Sequence, residues 1–233
     1  MTKNRVEDLG IEIDLNVLND IKDKLIQNFD DGFNFETPDY SDDGYCKVII
    51  YDGIAPFIFN DFDEFKKSTT PSSVLGYDKF LKSDDDKFKF TSFLGKLNDK
   101  LVEHYGCEVL FRLEFTQLQS NKSMHPHIDL GRHVKERLNI MFEDDTESGF
   151  QCGDFLYPMK KNRIYKMDVT KFHKAVNHSN KVRHALILDV IKNFSDLREF
   201  KFDTLVRQYT KTNTETSQIK FNSLKKIYST VLL

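Results

Sequence analysis

The sequence predicts a mainly β chain, an antiparallel sandwich or barrel with helices at its flanks. Three observations carry this. From Val109 to Gln117 apolar residues fall on alternate positions. Val109, Phe111, Leu113, Phe115 and Gln117 share one face, with Arg112, Glu114 and Thr116 on the other, the two-residue period of a strand. Further short strands are expected at 137–142, 153–157, 164–169 and 184–190, closely spaced and with no helix between them. Helical spacing occurs only before and after this block, an order that argues against an α/β fold.

Taken in order, Leu15, Leu18, Ile21, Leu25, Ile26 and Phe29 form a helical stripe with Asp14 as its N-cap. A strand over 47–51 ends at Asp52-Gly53. Residues 54–85 are rich in Phe and broken by Thr69-Thr70-Pro71-Ser72-Ser73, a loop region with short elements. Phe93, Leu94, Leu97, Leu101, Val102 and Tyr105 mark a second helix over 90–105, stopped at Gly106. Turns are expected at Asn121-Lys122, 143–149 and 160–162. Residues 196–233 return to helical spacing, from Leu197 and Phe200 to Tyr228 and Val231, and would brace the sheet or form a homodimer surface. The expected organisation is one domain over 1–233, with a mixed flank at 1–106, a β core at 107–192 and a helical flank at 193–233.

Composition narrows the class. With 39% hydrophobic residues and 21 Phe, the chain can bury a sizeable core. Gly 10 and Pro 5 are too few for a linker-rich chain. A net charge of −3 provides no global basic field, so nucleic acid is not favoured as a partner. Cys46, Cys107 and Cys152 are scattered, with no Cys-x-x-Cys pair, as expected of a reducing, cytoplasmic compartment. The first residues lack an apolar signal core, and no run approaches the roughly 20 apolar residues of a membrane span. Only three Ala occur, a bias that fits an AT-rich bacterial or phage genome.

The candidate chemistry lies in His127-Ile128-Asp129, with His173 46 residues on and Arg183 ten beyond that. Two imidazoles and a carboxylate hold a mononuclear non-haem iron on one face and leave the opposite face open. A His-x-Asp triplet alone is weak, since chance matches are common among 37 acidic residues. Here it follows a strand and a turn, Pro126 stiffens the approach, and His173 precedes an apolar strand headed by Arg183. In a jelly roll those two places meet at one open end of the barrel. His173 is preferred to His178 because ten residues to Arg183 allow strand, turn and strand with both side chains inward. His125 is a loop or supporting residue, His104 a helix C-terminal residue, and His133 and His184 solvated or packed. Zinc fits less well, since a structural site usually needs four ligands including Cys. Three protein ligands leave room for a 2-oxo acid and O2. The far carboxylate of 2-oxoglutarate needs a cation, for which a bidentate Arg183 is suited.

These residues resemble the aspartyl/asparaginyl β-hydroxylase family of double-stranded β-helix (cupin-like) oxygenases, across 115–189. Met167-Asp168-Val169-Thr170-Lys171-Phe172-His173-Lys174-Ala175-Val176-Asn177 is similar to the family's Phe-Asp-x-Ser/Thr-x-x-His-x-Val-x-Asn run. Arg183-His184-Ala185-Leu186-Ile187-Leu188-Asp189-Val190 looks like its Arg-x-x-Leu-x-x-Asp-Val strand. The resemblance implies Fe(II), with 2-oxoglutarate and O2 as co-substrates. It implies that Thr116 stands where the family has a Ser that hydrogen-bonds 2-oxoglutarate. The stretch Arg137-Leu138-Asn139-Ile140-Met141 takes the place of an Arg-Leu-His/Arg-Ile/Met-Pro/His stretch, so Asn139 and Met141 replace groups that hold the 2-oxo acid end, with Arg137 available to compensate. The implied activity is hydroxylation of an amino-acid side chain in a peptide or protein. Two alternatives stay open at this point: an oxygenase acting on a free amino acid or a prolyl residue, where a lid at 54–85 would favour a small molecule and an open cleft a peptide, and a non-catalytic cupin-like binding module.

Overall fold

The period-two run becomes β3 (Leu110–Leu118), a strand buried along both faces. The computed structural model describes residues 5–30, 44–52, 54, 81, 83–129 and 136–192. The other elements are β1 (Val6–Glu12), a 3₁₀ turn (Asn16–Leu18), α1 (Asn19–Asp30), β2 (Tyr45–Asp52), α2 (Asp84–Tyr105), β4 (Lys122–Ser123), β5 (Glu136–Met141), β6 (Asp145–Cys152), β7 (Phe155–Met159), β8 (Arg163–Met167), β9 (Lys174–Asn177) and β10 (Arg183–Ile191). Two antiparallel sheets result, ordered β1-β8-β5-β10-β3-β2 and β4-β9-β6-β7. Phe150 of the smaller sheet packs in one buried cluster with Met141, Met167 and Ala185 of the larger, so the sheets face each other as a double-stranded β-helix.

The two faces of the large sheet are used differently. Phe111, Leu113 and Phe115 of β3, Leu138 and Ile140 of β5, and Leu186, Leu188 and Val190 of β10 share a core with Leu18, Ile21 and Leu25, and with Phe90, Phe93, Leu97 and Leu101 of α2. The apolar face therefore looks outward, and the helices cover it. The alternate residues Glu114, Thr116, Asn139 and Arg183 line a cleft inside the barrel. Both faces of these strands are removed from water, and the polar one is functional space.

Local signals explain the element ends. Asp14 is not the observed N-cap: its Oδ1 accepts from Asn16 N at 2.9 Å, but the 3₁₀ turn ahead of α1 starts from Leu15, which has no side-chain cap bond. The second helix begins at Asp84, six residues before the expected start, because Ser83 and Asp86 form a capping box. Gly106 stops it with φ 65°, as expected. The expected turn at 143–149 is wrong: β6 runs Asp145–Cys152, with an irregularity in its pairing to β7 between Asp145 and Gly149. Gly149 marks a close approach, since a Cβ there would meet the Tyr157 carbonyl oxygen at 2.2 Å. The hairpin turn instead falls at Gly153, φ 60°, where a strand was expected to start. The short strands β1, β4 and β9 were not anticipated. No disulfide links Cys46, Cys107 and Cys152. No helix among the described residues is long and apolar enough to cross a membrane. Most of the expected lid at 54–85 and the whole helical stretch 196–233, with its dimer surface, lie outside the described residues.

Candidate metal centre

Backbone pairing brings the ligands together. His127 and His173 form an antiparallel bridge and exchange both N–H···O bonds at 2.9 Å. Directly opposed residues of such a pair project to the same face. Asp129, two residues past His127, returns to that face, and its N–H donates to the Val169 carbonyl at 3.4 Å. One ligand atom from each of His127, Asp129 and His173 lies within 4.8 Å of the others, the one such cluster among the described residues.

The rings are aimed. His127 Nδ1 lies 2.9 Å from the His125 carbonyl oxygen, and His173 Nδ1 lies 2.9 Å from that of Lys171. Each contact places the proton on Nδ1 and leaves Nε2 as a lone-pair donor. His127 Nε2 stands 3.7 Å from Asp129 Oδ1, and His173 Nε2 3.9 Å from Asp129 Oδ2. Ligands about 2.1 Å from a shared ion stand about 3 Å apart, so a small side-chain movement closes the set. Phe150 stacks on the His173 ring, centroids 5.0 Å apart. Burial lowers the His173 pKa, which favours the neutral ligand form. The donor set therefore fits a divalent transition metal.

Arg183 opens β10 opposite Leu118 and lines the same cleft as His127 and His173. It is 7% exposed, and its Nη2 lies 3.4 Å from the Met141 sulfur, a weak acceptor. Thr116 faces the cleft with its hydroxyl donating to the Ala185 carbonyl at 3.1 Å. The buried Asn139 Oδ1 has no hydrogen-bond partner, while its Nδ2 meets only the Met167 sulfur at 3.8 Å. A half-turn of that amide would present Nδ2 to an anion. A buried guanidinium, a hydroxyl and an unsatisfied amide in one cleft fit a dicarboxylate. Arg137 also lines the cleft, but its guanidinium is engaged by two carboxylates: Nη1 donates to Asp129 at 2.7 Å, and Nε and Nη2 donate to Asp189 at 2.9 and 3.1 Å.

Six of the seven candidates line one cleft, and the seventh, Asp129, lies within 4.8 Å of His127 and His173. The sequence left several neighbours without a role. It assigned no task to Asp189, Phe150, or the ion pair between Lys47 and the buried Glu114, 3.3 Å long, on the cleft wall. Alternation along β10 was the available signal for Asp189, which falls on the same face as Arg183. Of the other histidines, His125 contributes its carbonyl, His104 is exposed in the last turn of α2, His184 stacks on Phe115, and His133 lies outside the described residues.

Residues 80–193 match the family model described as Aspartyl/Asparaginyl beta-hydroxylase. No curated protein matches the chain. Similar solved structures include AviO1 from Streptomyces viridochromogenes Tue57, at 10% identity and TM-score 0.46, over 81% of this chain and 90% of that one. Another is viral collagen prolyl hydroxylase from Paramecium Bursaria Chlorella virus-1 in its 2OG complex, at 10% identity and TM-score 0.42, over 82% and 97%. A 2OG-Fe(II) oxygenase family oxidoreductase from Burkholderia pseudomallei is similar at 10% identity and TM-score 0.37, over 45% and 59%. These likenesses are too distant to assign residues or a substrate.

Proposed function

We propose that the chain is an Fe(II)- and 2-oxoglutarate-dependent dioxygenase that hydroxylates an amino-acid side chain in a peptide or protein, a reading supported by the match of residues 80–193 to the aspartyl/asparaginyl β-hydroxylase model. The observation that carries this reading is the cluster of His127, Asp129 and His173 at one end of a cleft that also holds the buried Arg183. With iron and 2-oxoglutarate bound there, O2 would be the oxidant: one oxygen atom would go into succinate, formed with loss of CO2, and the other into the substrate C–H bond as a hydroxyl. The chain's own residues do the rest. Nε2 of His127, Nε2 of His173 and the Asp129 carboxylate hold the metal. Arg183 pairs with the far carboxylate of the co-substrate, with the Thr116 hydroxyl as a second donor once it leaves the Ala185 carbonyl. Asn139 serves the 2-oxo acid end. Phe150 covers one face of His173 and keeps water from it.

A dead binding module has no need of a buried arginine in the same cleft as the His127, Asp129 and His173 cluster. The test is a mass-spectrometric screen of the iron-loaded chain against aspartyl, asparaginyl and prolyl peptides and the free amino acids, reading a 16 Da gain together with succinate. Product on a peptide side chain supports the reading. Product on free amino acids alone replaces the substrate class, and no succinate under any condition removes the oxygenase assignment.

A further inference from the structure

We propose that Asp189 and Arg137 form a clasp that holds Asp129 as a one-oxygen metal ligand, so that Arg137 is a positioning residue and not a co-substrate anchor. The inference rests on the metal reading above. Arg137 and Asp189 are directly paired across β5 and β10, so the clasp is set by the sheet register. Nε and Nη2 meet the two oxygens of Asp189 at 2.9 and 3.1 Å, a side-on bidentate contact. The remaining arm, Nη1, reaches Asp129 Oδ2 at 2.7 Å. Because the guanidinium is planar, turning Nη1 away from Asp129 breaks both bonds to Asp189. Burial stiffens the arrangement: the side chains of Arg137, Asp129 and Asp189 are 13%, 8% and 3% exposed.

The consequence falls on the carboxylate. A carboxylate binds a cation through one oxygen or both. Oδ2 of Asp129 already accepts a charge-assisted hydrogen bond, and the positive guanidinium beside it repels a second cation. Oδ1 lies 3.7 Å from His127 Nε2 and Oδ2 lies 3.9 Å from His173 Nε2, so the guanidinium bound to Oδ2 decides which oxygen is left for the metal. One-oxygen ligation leaves three positions of an octahedral ion open, the number that a chelating 2-oxo acid and O2 require. Two-oxygen ligation would close one of them. A lysine at 137 keeps the charge but has no planar fork to fix one carboxylate relative to the other, so the clasp needs the fork and not merely a cation.

Water-proton relaxivity of the Mn(II)-loaded chain counts open positions without any turnover. Three proteins are compared: wild type, Arg137→Lys, and the double variant Arg137→Met/Asp189→Leu, which removes both members of the Arg137–Asp189 pair together. Wild type is expected to show three exchangeable waters on Mn(II). Both variants should bind Mn(II) and lose about one third of the relaxivity as Asp129 turns to chelate. Unchanged relaxivity in both variants overturns the clasp. Wild-type relaxivity in Arg137→Lys with a loss in the double variant overturns it too, because charge alone would then suffice. Should the double variant not fold, Arg137→Lys decides by itself. A wild-type chain that takes up no Mn(II) sinks the metal reading, and the clasp with it.

Discussion

At the scale of residues, the cleft is a place where charge is buried on condition that it is used. Arg183 is 7% exposed and meets a thioether sulfur at 3.4 Å. In the proposed reading the far carboxylate of 2-oxoglutarate pairs with its guanidinium. Removing one partner of a buried ion pair typically costs about 3–5 kcal/mol. Arg183→Ala should therefore raise the 2-oxoglutarate requirement about a hundredfold or more, at about 1.4 kcal/mol per decade. Metal binding should survive, as Arg183 is not among the ligands. Thr116→Val removes one hydrogen bond to a charged group, worth roughly 1.5–3 kcal/mol, and should be milder. Arg183→Lys should fall between, since it keeps charge without the fork. A 2-oxoglutarate titration of succinate formation ranks the three, and an unchanged dependence in Arg183→Ala would move the anchor elsewhere. Arg137 is no substitute anchor, given its engagement by Asp129 and Asp189.

At the scale of elements, the second histidine is placed by a knot of hydrogen bonds around Asn177, four residues further along β9. Asn177 is fully buried. Its Nδ2 donates toward the carbonyls of Leu118, Gln119 and Lys181 at 3.1, 3.0 and 2.7 Å. Its Oδ1 accepts from Ser148 and Ser179 hydroxyls, each at 2.8 Å. One side chain thus ties β3, β6, β9 and the start of β10. Asn177→Ala leaves several of these groups unsatisfied at about 1–3 kcal/mol each, so the urea midpoint should fall by several times the shift seen in Ser148→Ala. Equal shifts would mean that the knot is not cooperative. Elements like β9 were hard to read beforehand. Its four residues Lys174–Asn177 are too short for a period to show, and their pairing partners lie far off in sequence. β6 was mistaken for a turn because Asp145, Ser148 and Gly149 are turn-forming residue types, whereas Gly149 is there for the approach of the Tyr157 backbone. The long amphipathic stretches, α1, α2 and β3, were legible because their apolar faces repeat over many positions. The cluster of His127, Asp129 and His173 could be picked out for a different reason: residue chemistry is written in the sequence even where strand pairing is not. Asp189 was seen in its strand but not in its task, since that depends on which strand lies beside β10.

At the scale of the whole molecule, Glu136 joins the barrel to its helical cover. Its carboxylate accepts from Tyr105 at the end of α2, Lys166 of β8 and Lys192 after β10, at 2.7, 3.0 and 2.7 Å. Burial pushes its pKa up, but these donors reverse that and hold it at about 2, against an ordinary 4.5. A folded-state pKa below the unfolded one stabilises the fold above the unfolded value, and the gain is lost as pH falls from about 4.5 toward 2. Thermal midpoints should therefore drop between pH 5 and pH 2 by more in wild type than in Glu136→Gln. Parallel curves would show that the cluster adds nothing to stability.

The central claim is that one cleft holds a divalent iron through His127, Asp129 and His173 and consumes 2-oxoglutarate. The most direct measurement is succinate formed from 2-oxoglutarate by the Fe(II)-loaded chain with ascorbate and no added substrate, alongside metal content, in wild type and His173→Ala. The account predicts one metal per chain and slow succinate formation in wild type, with both lost in a His173→Ala protein that keeps its fold. Stoichiometric metal in His173→Ala, or a metal-loaded wild type that makes no succinate and binds no 2-oxoglutarate, would contradict it.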